Sequence, residues 1–151
     1  MLLAERVLVT GGAGFIGSHL VDKLVEEGFY VIVLDNFSSG SRENLSLNFG
    51  KPNFCLVDGD VCEKVDVRKA LRDVDVVFHF AAVVNVNFSL KNPALVNKVN
   101  VHGTLNVLEE SLNAGVERFV YASSCAVYGE PIYFPIDEEH PTRPITTLLK
   151  I

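Results

Sequence analysis

A doubly wound α/β fold, with a parallel sheet covered by helices on both faces, is predicted by three observations. Apolar, β-branched runs alternate with segments of helical periodicity along the chain. The first strand-to-helix turn carries Gly11, Gly14 and Gly17, a G-x-x-G-x-x-G spacing. The second strand runs into a carboxylate, Asp35, eighteen positions after Gly17.

Each element follows in order. Arg6–Thr10 reads as the first strand and stops at Gly11. A helix is expected over Phe15–Glu27, where Ile16, Leu20 and Leu24 recur at i, i+4 and i+8 as a buried stripe, and Gly28 ends it. Tyr30–Leu34 is the second strand, followed by a short helix near Arg42–Leu47. Asn53–Val57 is the third strand and Glu63–Leu71 the next helix. Asp75–Phe80 is the fourth strand. One long helix is expected over Ala94–Ala114, with Asn92 as its cap and Pro93 in its first turn. Its Val101, Leu105, Leu108 and Leu112 form a stripe, and Gly115 ends it. Arg118–Ser123 is the fifth strand. Right-handed crossovers at every step give the strand order 3-2-1-4-5, with a ligand lying across the carboxyl ends of the strands.

Composition narrows the function classes. The 151 residues suffice for one domain, and 48% hydrophobic with 21% charged residues is an ordinary globular balance. A net charge of -6 argues against nucleic acid as a main partner, since a polyanion would be repelled. No apolar run is long enough to span a bilayer, and no signal-peptide pattern opens the chain. Cys55, Cys62 and Cys125 are odd in number and lack metal-ligand spacing, so reduced thiols in a cytoplasmic protein are expected, with no metal.

The glycines and Asp35 together point to a dinucleotide. Gly11 allows the tight turn, Gly14 lets backbone approach a pyrophosphate, and Gly17 lets the helix pack close. A carboxylate at Asp35 can accept from both ribose hydroxyls and would repel a 2′-phosphate, favouring NAD over NADP. Alone, Asp35 reads equally as a strand-ending turn residue; beside the glycines the ribose role prevails.

Further motifs sit at the remaining strand ends. In Val57–Val61 an Asp can accept from an adenine amino group while the backbone of Val61 faces the ring; an acidic turn is the plainer alternative. Phe80, Ala81 and Ala82 present small residues that allow close cofactor approach, and His79 is expected to be a packed or hydrogen-bonded strand residue rather than an acid–base group. Ser123 and Ser124 could bond a reacting hydroxyl or simply form a turn. Asn100, within the long helix, would bind water or a backbone carbonyl near the site, or lie on the surface.

The segments VTGGAGFIGSHL, LDNFSSGSRENL, DGDV, FHFAA, the NP after Lys91, NVHGTLNVLE, SSCAVYGEP and PTRP occur in this order. Through them the chain resembles the extended short-chain dehydrogenase/reductase family, and within it the UDP-glucose 4-epimerases and related nucleotide-sugar enzymes. The resemblance implies a Rossmann fold that holds NAD. By position, Gly11, Gly14, Phe15, Ile16 and Gly17 would hold the pyrophosphate and Asp35 the adenosine ribose. Asn36, Phe37, Ser38, Ser39 and Gly40 would surround that end, and Asp60 and Val61 would contact adenine. Phe80, Ala81 and Ala82 would line the cofactor channel, Asn100 would support the site, and Ser124 would bond the reacting sugar hydroxyl. The implied activity is isomerisation at the sugar C4 through a 4-keto intermediate, as in galactose metabolism. Related dehydratases carry acidic residues after the serine or threonine, and decarboxylases a Glu before V-Y-G. Cys125 and Ala126 stand there in this chain, which favours epimerisation.

The family's Tyr-x-x-x-Lys pair has no match. Leu34, Cys125, Ile132 and Asp137 stand four positions after the four tyrosines, and Leu148 occupies the place of the Tyr. Residues 1–151 are therefore expected to be a truncated NAD-binding domain, its sheet incomplete at the C-terminal edge and its substrate domain absent. On that expectation the chain alone is inactive. The alternatives are an NAD-binding module without catalysis, or a fragment of a related dehydratase or decarboxylase. A bare strand at Phe119, Val120 and Tyr121 would favour edge-to-edge self-association, while the resemblance implies a homodimer through the helix around Val101–Leu112.

Overall fold

In the computed structural model, which describes residues 5–145, five parallel strands form one sheet in the order β3-β2-β1-β4-β5. The strands are β1 (Arg6–Thr10), β2 (Tyr30–Asp35), β3 (Phe54–Asp58), β4 (Val76–His79) and β5 (Arg118–Tyr121). The helices are α1 (Phe15–Glu26), α2 (Lys64–Ala70), α3 (Val86–Lys91), α4 (Pro93–Asn97) and α5 (Thr104–Ala114). Arg42–Asn48 and Cys125–Val127 are 3₁₀ segments. The expected fold class and strand order are both found.

Strand alternation divides the core between the two faces of the sheet. Leu8 pairs in register with Ile32 and Val77, and these side chains meet Val67 of α2, Leu71 just after it and Val107 of α5. Val9 pairs with Val33, and the opposite face packs on Val21 and Val25 of α1 and on Leu45. Leu8, Val9, Val33 and Val77 are fully buried. Fully burying such a side chain contributes about 1.5–3 kcal/mol.

Three helical expectations need correction. The most buried face of α1 is Gly17, Ser18, Val21 and Val25; of the expected stripe, Leu20 and Leu24 pack half-buried against the same cluster, and Ile16 does not. Ile16 is 66% exposed, because the first turn of α1 stands over the mouth of the sheet rather than on it. The expected long helix is not uniform. α4 passes through a π-helical turn, Lys98–Gly103, before α5. A separate helix, α3, precedes it and was not expected. Pro93 does sit in the first turn of α4, but Asn92 makes no side-chain cap and bonds back to the Phe88 carbonyl instead. Finally, Leu105, Leu108 and Leu112 lie on the exposed face of α5, while Gly103, Val107 and Ser111 face inward.

The expected helix stops are found. Gly28 enters the left-handed region (φ +91°), its N–H reaching the Val25 carbonyl and that of Phe29 the Leu24 carbonyl. The same two-bond closure ends α5 at Gly115 and Val116, on the carbonyls of Leu112 and Ser111. β5 is shorter than expected, ending at Tyr121, and among the described residues it pairs with β4 alone. No helix among the described residues is long and apolar enough to cross a membrane.

Candidate functional site

All the motifs converge on the carboxyl end of the sheet. β1 stops at Gly11 because the chain must turn through φ +68° with no room for a side chain. A Cβ there would lie 2.7 Å from the Ala81 nitrogen, so the backbone after β4 rests directly on this turn. A Cβ on Gly17 would lie 2.3 Å from the Gly11 carbonyl oxygen. That contact seats α1 on the glycine turn itself. Gly14 precedes the helix, and no side chain caps the first turn. Phe15 (79% exposed) and Ile16 flank that open end. Unpaired N–H groups at such a terminus favour an anion.

Asp35 closes the site from β2. Its Oδ2 accepts from the Ala13 N–H at 2.9 Å and its Oδ1 from the Phe37 N–H at 2.8 Å. The Gly11 N–H reaches the Leu34 carbonyl at 2.9 Å. The Asn36–Gly40 loop then folds onto the glycine turn. The Ser41 N–H and the Asn44 amide both donate to the Ala13 carbonyl, at 3.1 and 2.8 Å. Asn36 accepts from the Ser38 N–H and donates to Asp60 Oδ2, each at 3.0 Å. Ser38 and Ser39 are exposed along this loop. The Arg42 guanidinium stacks over the Phe37 ring, 4.5 Å from its centroid, and pairs with Asp58.

Asp60 follows β3. Burial works to raise its pKa, but the Cys62 N–H and the Asn36 amide hold the carboxyl below its ordinary value. Burial and then the Asp60 charge push the Cys62 thiol up to about 11, so it stays protonated. Val61 is buried, and its carbonyl accepts from Asn106.

Beyond β4, the Phe80 and Ala81 N–H groups return to the Thr10 carbonyl and hydroxyl. Ala82 is exposed at the rim. Asn100 spends its carboxamide on one residue: Oδ1 accepts from the Val83 N–H at 2.8 Å and Nδ2 donates to the Val83 carbonyl at 3.0 Å. Its reach toward a ligand is thus through the loop it holds. His79 is 2% exposed between two threonine hydroxyls, and burial pushes its pKa down to about 4. The expectation of a packed, hydrogen-bonded histidine is met.

After β5, Ser124 is exposed and accepts from the Ala126 N–H at 3.3 Å. Tyr133 donates to Asp137, which raises its pKa, so it is poorly suited to act as a base. Leu148, at the place of the missing Tyr, lies outside the described residues. Among the described residues no group of His, Cys, Asp and Glu could hold a metal ion. A hollow of about 320 Å³ between α2 and α5 lies at the other end of the sheet, lined by Arg68, Asp73, Glu110 and Asn113. It is walled by the Arg68–Glu110 ion pair and is separate from the strand ends.

Residue patterning does not single out Thr10, Asn44 or Thr104, which the fold brings to the site. Asn100 and Thr104 stand four apart on one helical path, the one signal that joined any of them to a recognised residue.

Residues 7–148 match the family described as "Epimerase: NAD dependent epimerase/dehydratase family". The chain is 46% identical over 141 residues to a "Putative UDP-glucose 4-epimerase" of Methanocaldococcus jannaschii, covering 93% of this chain and 45% of that protein. It is 44% identical to "UDP-glucuronic acid decarboxylase 1" of Arabidopsis thaliana, covering 89% of this chain and 30% of that protein. The structure is similar to that of UDP-glucose 4-epimerase from Thermus thermophilus in complex with NAD, with a TM-score of 0.82 and 43% identity, covering 92% of this chain and 44% of that one. The chain thus spans less than half the length of these relatives.

Proposed function

The chain belongs to the NAD dependent epimerase/dehydratase family, and we propose that it supplies the cofactor-holding part of a nucleotide-sugar 4-epimerase of the UDP-glucose/UDP-galactose type. The carrying observation is the join between Asp35 and the glycine turn, which sets a carboxylate beside an open helix terminus. That pairing suits a dinucleotide: the terminus takes pyrophosphate and the carboxylate takes ribose hydroxyls. The NAD complex of the similar Thermus enzyme supports the same cofactor.

Each residue then has a task. Gly11, Gly14, Phe15, Ile16 and Gly17 hold the pyrophosphate, and Asp35 the adenosine ribose. Asn36, Phe37, Ser38, Ser39 and Gly40 enclose that end, with Asp60 and Val61 at adenine. Phe80, Ala81 and Ala82 line the path to the nicotinamide, supported by Asn100. NAD, when bound, supplies reversible hydride exchange at C4 of the sugar. Ser124 holds the C4 hydroxyl, and remote binding of the nucleotide orients the sugar. Cys125 and Ala126 provide no acid or base for elimination, which favours epimerisation over dehydration or decarboxylation. We also propose a cytoplasmic setting and a homodimer.

A second reading is favoured by the lack of any tyrosine with Lys four positions on. In it, residues 1–151 bind NAD and catalyse nothing without a base supplied from elsewhere. Calorimetric titration with NAD⁺, run beside a coupled assay for UDP-galactose conversion, separates the two. Turnover by the chain alone, or after addition of a polypeptide supplying the Tyr-x-x-x-Lys half, supports the epimerase; binding without turnover in either case supports the module. Absence of NAD⁺ binding sinks both.

A further inference from the structure

We infer that His79 is a positioning residue for the cofactor loop: as an Nε2–H imidazole it locks Ala81–Val83 between the glycine turn and the π-helical turn at Lys98–Gly103. The cofactor part of this inference rests on the NAD reading above. The lock itself rests on a chain of hydrogen bonds with one consistent direction.

The Thr104 hydroxyl donates to the Asn100 carbonyl at 2.7 Å. Its oxygen is then left to accept, so His79 Nε2, 3.0 Å away, carries the proton. Nδ1 is therefore an acceptor, and the Thr10 hydroxyl donates to it at 2.7 Å. The Thr10 oxygen in turn accepts from the Ala81 N–H at 3.2 Å. At the other end, the Asn100 side chain grips Val83 through both its N–H and its carbonyl. One imidazole thus ties β1, β4, the loop after β4 and the start of α5 together. Burial keeps it in the single-proton form near neutral pH.

The site's architecture makes this lock consequential. Ala81 and Phe80 lie on the Gly11 turn so closely that a Cβ would collide with them. A shift of Ala81–Val83 would change the wall facing a bound dinucleotide. The π turn contributes by adding a residue per turn, a feature common where helices serve a site. Tyr121 of β5 lies near-parallel to the imidazole, 20° between ring planes and 6.0 Å between centroids.

The test compares Thr104→Val, which keeps shape and loses the hydroxyl, with Thr104→Ser, which keeps the hydroxyl. Amide hydrogen exchange at Ala81 and Val83 is followed without cofactor, and NAD⁺ affinity is measured well below the melting temperature. Losing one such bond predicts about tenfold faster exchange at Val83 and about tenfold weaker NAD⁺ binding in Thr104→Val, both restored in Thr104→Ser. A merely structural role would lower the melting temperature and leave affinity in the folded variant unchanged; that result overturns the inference. Should Thr104→Val fail to fold, ¹⁵N shifts of His79 in the wild type decide: an Nδ1–H tautomer overturns the lock. Wild-type protein that binds no NAD⁺ overturns the cofactor part, while the exchange comparison still decides the lock.

Discussion

Asp35 and Ala13 are joined by one hydrogen bond, carboxylate Oδ2 to backbone N–H at 2.9 Å, across 22 residues of sequence. Through it the end of β2 and the glycine turn after β1 form a single surface. The carboxylate proposed to face a ligand is also the group that fixes the loop beside it.

Replacing Asp35 therefore strikes twice. Asp35→Asn keeps the shape but cannot accept from both Ala13 and Phe37 through its two terminal atoms. We expect NAD⁺ affinity to fall about 10- to 100-fold, since hydrogen bonds to a charged group contribute about 1.5–3 kcal/mol. Discrimination against NADP⁺ should narrow as the negative charge is lost. Parallel calorimetric titrations with the two dinucleotides test this; unchanged affinity for both would rule out a ligand-facing role for Asp35.

Gly17→Ala should be costly. Its new methyl would meet the Gly11 carbonyl oxygen and the Gly12 Cα, both backbone. Neither can swing aside, so α1 must lift from the turn, at about 1–3 kcal/mol or more. Urea midpoints measure it. Wild-type stability in the variant would mean that the helix is not seated as described.

Acid should unfold this domain partly through His79. Burial depresses its pKa from 6.5 to about 4, so the unfolded chain takes up a proton that the folded one refuses. The associated stability is fully present above pH 6.5 and is lost as pH falls towards 4. The two values correspond to about 3 kcal/mol over that window. Unfolding free energies from urea titrations between pH 7 and about 4 should slope accordingly, and His79→Gln should flatten the slope.

Self-association should run through the exposed face of α5. Leu105, Leu108 and Leu112 are 49%, 41% and 82% exposed there. Leu108→Glu is expected to weaken association more than about tenfold, as a charge placed in an apolar contact would. Tyr121→Lys should weaken it less, unless the β5 edge is the contact. Light scattering ranks the variants, and a wild-type monomer at high concentration would count against both surfaces.

The period of the apolar residues carried most of the architecture. Strand positions read correctly because β1, β2 and β4 are buried on both faces and need continuous Val, Leu and Ile. Helix faces read less well. Ile16 and Leu112 match a helical stripe, yet the three-dimensional arrangement leaves both exposed. Periodicity shows that an apolar stripe exists, not which surface it meets. The π turn at Lys98–Gly103 was illegible because one extra residue per turn leaves the residue types unchanged.

The sequence by itself determined the doubly wound sheet, its strand order, and the glycines and Asp35 at the strand ends. These follow from local rules: strand patterning, crossover handedness, and a tight turn that glycine at position 11 permits. Only the tertiary structure decided that Asp35 holds Ala13, that Asn100 grips Val83, and that His79 stands between Thr10 and Thr104. Those partners lie 17 to 69 positions apart along the chain. The direction of a hydrogen bond depends on atoms brought within about 3 Å, a distance that folding sets and spacing in the sequence does not.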